Sequence, residues 1–235
     1  MKKIILFMLF AYSTTCFGQE IFTAIKGKDY DKIAELIKSK SNVNKRNENN
    51  MTPLLIAVIG NDIKAVKLLV ENGADISLTS KSNWTPLMVA CQSADVEVAG
   101  YLIENGADVN TPDEHNWNPL IISARNGQTE IVQLLLTKGV DINCKAQDKS
   151  TPLLIASYKG HLAIVKQLLE KGANPNPVNR DSETALYLAA QKGNAEVVKL
   201  LLLYHADKAL VNKDVKSICD AAKSSGYKDI CTLLQ

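Results

Sequence analysis

Apolar positions along this chain fall into two layouts that alternate with each other. The first is a short run opening on Thr-Pro-Leu, which begins at Thr52, Thr85, Thr151 and Thr184 and, with Asn118 in the threonine place, recurs every 33 residues. The second follows about ten residues later, as in Ile131-Val132-Gln133-Leu134-Leu135-Leu136 and Val197-Val198-Lys199-Leu200-Leu201-Leu202, where the apolar residues share one face at helical spacing. A fixed period of this length is the signature of stacked repeats, each too small to bury its own apolar face.

The polar positions supply the boundaries. Thr52, Thr85, Asn118, Thr151, Thr184 and Ser217 can each accept a hydrogen bond from an orphan backbone N–H and so predict a helix start. Pro53, Pro86, Pro119 and Pro152 follow at the first helical position, where a missing N–H costs nothing. Five residues after the cap, Ala57, Ala90, Ser123, Ala156 and Ala189 are small enough for a second helix to approach. Gly127, Gly160, Gly193 and Gly226 predict the break between the helices, and Gly73, Gly106, Gly139 and Gly172 the end of the second.

In the runs Thr52-Pro53-Leu54, Gly160-His161 and Asn105-Gly106-Ala107-Asp108-Val109-Asn110, the chain resembles the ankyrin repeat. The resemblance covers essentially everything after residue 19. It implies an all-α fold, a solenoid of about seven stacked helix pairs joined by β-hairpin-like loops. The units lie near residues 19–51, 52–84, 85–117, 118–150, 151–183, 184–216 and 217–235. The first lacks Thr-Pro-Leu but keeps Ala24, Ile33, Leu36 and Ile37 among positions rich in Lys, Asp and Glu, as a solvent-facing cap should be, and 217–235 supplies the final pair of one domain, 19–235.

Three departures from the family pattern bear on geometry. The glycine usual at the hairpin turn is replaced by Asn50, Asn83, Asn116, Lys149 and Ser182, of which the last two tolerate a left-handed backbone poorly. The histidine usual after Thr-Pro-Leu is Leu55, Met88, Ile121, Leu154 or Tyr187, so its bonds between units are absent and apolar packing is expected to substitute. Pro175 and Pro177 remove two backbone donors ahead of a hairpin, which puts that hairpin's geometry in question.

Residues 1–18 are of another kind. Lys2-Lys3 precede the apolar run from Ile4 to Tyr12, and small residues lead to Gly18. The apolar run is about half the roughly 20 residues a spanning helix needs, so the segment reads as a secretory signal peptide cleaved after Gly18. Lipid anchoring at Cys16 is disfavoured by the Ser13-Thr14-Thr15 before it. The expected location is therefore periplasmic or secreted, with no membrane span. Without Lys2 and Lys3 the chain holds 25 basic and 25 acidic residues, a balance that gives no field for nucleic acid.

Catalytic, metal and cofactor chemistry find no foothold. The three histidines have structural explanations: His161 follows a helix-breaking glycine, His205 replaces a helix-ending one, and His115 sits in a hairpin. No Cys/His pair has zinc spacing, and neither a phosphate-binding loop nor a nucleophile elbow is present. A non-enzymatic role follows as the expectation. Cys219 and Cys231 occupy core positions on the two helices of the last unit and could form a disulfide, or remain as small buried hydrophobes. Cys91 and Cys144 lie in different parts of their units.

What remains is recognition. Ankyrin arrays usually bind through hairpin tips and the exposed end of the first helix. The tips here are Glu48-Asn49-Asn50-Met51, Lys81-Ser82-Asn83-Trp84, Glu114-His115-Asn116-Trp117, Gln147-Asp148-Lys149-Ser150 and Arg180-Asp181-Ser182-Glu183; the helix ends carry Ile59, Gln92, Arg125-Asn126, Tyr158-Lys159 and Gln191-Lys192. Trp84 and Trp117, the only tryptophans, hold the same place in consecutive units, where stacking would set them side by side near Met51, Arg125 and Tyr158. Trp, Tyr and Arg are the residues most often found as interface hot spots. The expected partner-binding set is Met51, Lys81, Trp84, Gln92, Glu114, His115, Trp117, Arg125, Tyr158 and Lys159. The leading function is an exported module that binds a protein partner; the alternatives are an immunity or inhibitor protein against a toxin or enzyme, or an accessory factor for a periplasmic enzyme.

Overall fold

The computed structural model describes residues 19–39, 42–210 and 217–234. The expected signal peptide, with Lys2, Lys3 and Cys16, lies outside the described residues. Seven helix pairs follow one another. Residues 19–26 are helical and pair with Tyr30–Lys38. Next come Pro53–Ile59 with Ile63–Glu71, Pro86–Ser93 with Val96–Glu104, and Pro119–Asn126 with Thr129–Thr137. The last three are Pro152–Lys159 with Leu162–Glu170, Ala185–Gln191 with Ala195–Leu203, and Ile218–Ser224 with Ile230–Leu233. Among the described residues the only β pairing is an isolated antiparallel bridge between Val178 and Thr184. The fold is all-α.

Each first helix from Pro53 to Ser224 begins where the polar pattern places it. The side chains of Thr52, Thr85, Asn118, Thr151, Thr184 and Ser217 each accept a hydrogen bond from the backbone N–H three residues on. Loss of one such cap costs about 1 kcal/mol. Leu55, Met88, Ile121, Leu154 and Tyr187, which stand in the usual histidine place, are all buried. Burying an aliphatic side chain of this size contributes roughly 1.5–3 kcal/mol, so packing does take the place of that histidine.

The chain divides into two compact units, Met1–Asp108 and Val109–Gln235. In the first, Pro53–Ile59 packs on Pro86–Ser93, while Tyr30–Lys38, Ile63–Glu71 and Val96–Glu104 pack in succession. In the second, the first helices from Pro119–Asn126 to Ile218–Ser224 pack in sequence, and so do the second helices from Thr129–Thr137 to Ile230–Leu233. A disulfide between Cys219 and Cys231, whose Cα atoms are 4.9 Å apart, joins the last pair. Cys91 is buried, and burial pushes the Cys144 thiol up to about 12.

Bonds between repeats come from an asparagine that the sequence reading left without a role. Asn44 Oδ1 accepts from Asp75 N at 2.7 Å in the first unit. In the second, Asn110, Asn143 and Asn176 accept from Asp141 N, Asn174 N and Asp207 N at 2.8, 3.0 and 2.8 Å.

The hairpins are closed in all five tips. The amide of Asn47, Ser80, Asp113, Ala146 or Asn179 donates to the carbonyl four residues on. Each turn then passes through a left-handed residue, with φ near +60° at Asn50, Asn83, Asn116, Lys149 and Ser182. Lys149 and Ser182 adopt this backbone inside the same pair of closing bonds, their own amides donating to the Ala146 and Asn179 carbonyls. Pro175 and Pro177 do not disturb their hairpin either, since it closes at Asn179, beyond both rings.

Candidate functional site

Within the second unit, three elements of each repeat converge on one groove: the hairpin tip, the inner surface of the first helix and that helix's last turn. The tip 113–117 ends on Trp117, whose backbone N–H donates to Asp113 Oδ1 at 2.8 Å. Helix Pro119–Asn126 carries Arg125 in its last turn, and the guanidinium lies 4.9 Å from the indole centroid. Helix Pro152–Lys159 ends on Tyr158 and Lys159, both exposed. The Tyr158 ring has Lys192 at 4.6 Å and Lys159 at 5.8 Å, each from ring centroid to ammonium. Exposed cation–aromatic pairs are worth about 0.5–1 kcal/mol each, enough to orient these side chains without locking them.

The helix ends that present Arg125 and Tyr158 are held by the following repeat. His161 Nε2 lies 3.2 Å from the Arg125 carbonyl, which can only accept, so this nitrogen carries the proton of the bond. Asn194 Nδ2 donates to the Ser157 carbonyl at 2.8 Å and to that of Tyr158 at 3.3 Å. Both side chains lie across a glycine. A Cβ on Gly127 would stand 2.9 Å from the His161 ring, and one on Gly160 would stand 2.7 Å from Asn194 Oδ1. These glycines therefore do more than end a helix. With φ of +77° and +76° they also leave room for the side chain that holds the preceding helix end.

The groove these residues frame has a volume of about 410 Å³. Its floor is apolar, built from Ala146, Leu154 and Leu188, which are buried, and the half-buried Ile155. Arg125, Tyr158 and Lys159 line the groove from the helix ends, and Trp117 from the tip before them. The two tips that follow give it an acidic wall, Asp148, Asp181 and Glu183. Asp148 is oriented by accepting from the Ser150 N–H at 2.9 Å and its hydroxyl at 2.8 Å, and Glu183 Oε2 accepts from Asn179 Nδ2 at 2.7 Å. The two tips are tied together by the Arg180 amide, which donates to the Asp148 carbonyl at 2.8 Å.

Of the ten residues expected to bind a partner, the groove brings together Trp117, Arg125, Tyr158 and Lys159. Glu114 and His115 are exposed at the 113–117 tip and do not line it; their side chains meet at 3.9 Å, and the His115 carbonyl accepts from the Gln147 amide. Met51 and Trp84 are half-buried, and Lys81 and Gln92 exposed, in the first unit. The sequence reading missed the acidic wall as a feature, although its tips contained all three residues. It also missed Lys192 as the cation facing Tyr158. Among the described residues no cluster of His, Cys, Asp and Glu is arranged to hold a metal, and no helix is long and apolar enough to cross a membrane.

A family model of ankyrin repeats in three copies matches residues 21–113 and again 110–179, and one of ankyrin repeats in many copies matches residues 168–220. No curated protein matches the chain.

Proposed function

Because the chain belongs to the ankyrin repeat family, we propose that it is a non-enzymatic module that binds a protein partner, and that the groove of its second unit is where the partner seats. Repeats of this family serve as interaction scaffolds, which supports the class of function. The observation that carries the location is the pairing of exposed Arg125 with half-buried Trp117 beside exposed Tyr158, over a floor made by Leu154, Ile155 and Leu188. Aromatic and arginine side chains bordering an apolar floor supply large contact area at low entropic cost, the composition of an interface centre. The flanking Glu114 and His115 extend that surface. Met51, Lys81, Trp84 and Gln92 form the first unit's own contribution.

The binding array, residues 19–235, works outside the cytoplasm in this proposal, with residues 1–18 as its cleaved export signal. Support comes from Lys2-Lys3 followed by a short apolar run and small residues, the order a signal peptide requires. Affinity capture from an envelope fraction tests the binding reading. Trp117→Ala with Tyr158→Ala is expected to abolish capture of a specific partner, and unchanged capture removes the groove from consideration. Amino-terminal sequencing of the protein from that fraction tests export independently. A mature terminus at Gln19 is expected, and an intact Met1 terminus on soluble cytoplasmic protein would contradict it.

A further inference from the structure

The walls of the groove differ in sign, and that difference specifies the occupant. On the helix side, Arg125 and Lys159 are engaged with aromatic faces rather than carboxylates, and Lys192 rests on Tyr158. On the finger side stand Asp148, Asp181 and Glu183. The ion pairs Lys32–Glu35, Lys67–Glu97, Glu114–His115, Lys166–Glu170 and Glu196–Lys199 lie elsewhere, and none of them joins the two walls. Among the described residues the carboxylates accept only from neutral donors, Ser150 and Asn179, so neither row of charge neutralises the other and each can meet a third party. A cation resting on an aromatic ring keeps its N–H groups available to an anion, because the ring occupies only one side of it.

Resting on the groove reading above, we infer that the occupant is a short segment of a partner chain with an apolar anchor set between side chains of opposite sign. Its acidic group meets Arg125 and Lys159, its basic group meets Asp148, Asp181 and Glu183, and the anchor covers Leu154, Ile155 and Leu188. A uniformly basic segment would satisfy the fingers but press its charge on Arg125 and Lys159, and a uniformly acidic one would do the reverse. Like charges brought together in this way act against the wrong partner more strongly than matched ones favour the right one. The groove's volume is that of a small-ligand pocket, which suits a few residues of chain rather than a broad protein face. Two oppositely charged walls also fix the direction in which the segment lies.

A displayed library of random peptides, panned on the folded protein, reads this out. Peptides that lose binding to Trp117→Ala and Tyr158→Ala are the groove-dependent ones. They are expected to carry at least one acidic and one basic residue around an aromatic or aliphatic position. Asp181→Lys and Lys159→Glu, both at exposed positions, should each weaken such peptides about tenfold in fluorescence polarisation, and added salt should weaken them further. Groove-dependent peptides of a single charge sign, or peptides indifferent to both reversals, would overturn the inference while leaving the groove intact. A selection that yields no groove-dependent peptide would overturn the groove reading itself.

Discussion

The two units solve the same local problem, how to begin the second helix of each pair, in different ways. In the first unit the residue before that helix is always aspartate: Asp29, Asp62 and Asp95 accept from the N–H of Lys32, Ala65 and Val98. In the second unit the equivalent residues are Gln128, His161 and Asn194, and none of them caps its own helix. His161 and Asn194 reach backward to the carbonyls of the preceding repeat instead.

The residue just before follows the same division. Lys28, Asn61 and Ala94 hold a left-handed backbone in the first unit, whereas Gly127, Gly160, Gly193 and Gly226 hold it in the second. Asp62 and Asp95, which turn inward on their own helices, stand where His161 and Asn194 do one repeat after the glycines, and a side chain with a Cβ has space one repeat before them, at Lys28 and Asn61. A histidine or asparagine that reaches back fills the space, and only glycine fits beneath. Tyr227 repeats the relation over Gly193, whose Cβ would come within 2.5 Å of the ring.

The difference has a functional side. In the first unit the cation–aromatic pairs lie between second helices, Lys64 on Tyr30 and Lys67 on Tyr101, each at 5.7 Å. In the second unit such pairs lie at the ends of first helices, where the groove opens. In the second unit, the first-helix ends that the next repeat secures are the ones that carry Arg125 and Tyr158.

The comparison breaks most sharply at Gly160. Gly160→Ala forces a Cβ into a left-handed backbone and into Asn194, so strain of about 1 kcal/mol and the loss of one or two hydrogen bonds should together cost about 2–3 kcal/mol in urea unfolding. Gly226→Ala, with nothing within 4 Å of its added Cβ, controls for the backbone strain alone. Equal losses in the two variants would mean that the backward tie adds nothing.

In the first unit the cap should matter instead. Asp62→Ala removes the bond to Ala65 N and the partner of the Tyr30 hydroxyl, for an expected loss of about 1–2 kcal/mol by the same measurement. A change below about 0.3 kcal/mol would deny the aspartate its role. The smallest effect belongs to Ala94→Gly, which relieves a left-handed alanine at φ +59° and is expected to raise stability by up to about 1 kcal/mol despite the entropy glycine adds to the unfolded chain. A net loss would indicate that the alanine methyl makes a contact worth more than its strain.

The helix starts were legible because their chemistry is local. A threonine followed by proline states where a helix begins without reference to anything distant. The register alone located Trp117, Arg125, Tyr158 and Lys159 on one surface. Asp148, Asp181 and Glu183 were not legible as a wall, since each looks like an ordinary hydrophilic turn residue and only the stacking of two fingers aligns them. The second role of Gly127 and Gly160 was hidden for a related reason, being set by a side chain 34 residues on. A trace of it is present in the chain: glycine precedes His161, Asn194 and Tyr227 one repeat back, and does not precede Asp62 or Asp95. Lys149 shows the limit of reading residue types singly. Its side chain argues against a left-handed turn, but the hydrogen bonds around it decide the matter.

The asparagine bonds between repeats make the repeat interchangeable. Asn110, Asn143 and Asn176 each meet a backbone N–H 31 residues ahead, and consecutive members of the series are themselves one repeat apart. Excision of residues 144–176 would thus offer Asn143 the amide of Asp207 in place of that of Asn174, with the same donor in the same position. A cut one residue shorter or longer would put a different amide opposite the acceptor. The length of such an array can change only in whole steps, and each step would add or remove one hairpin tip.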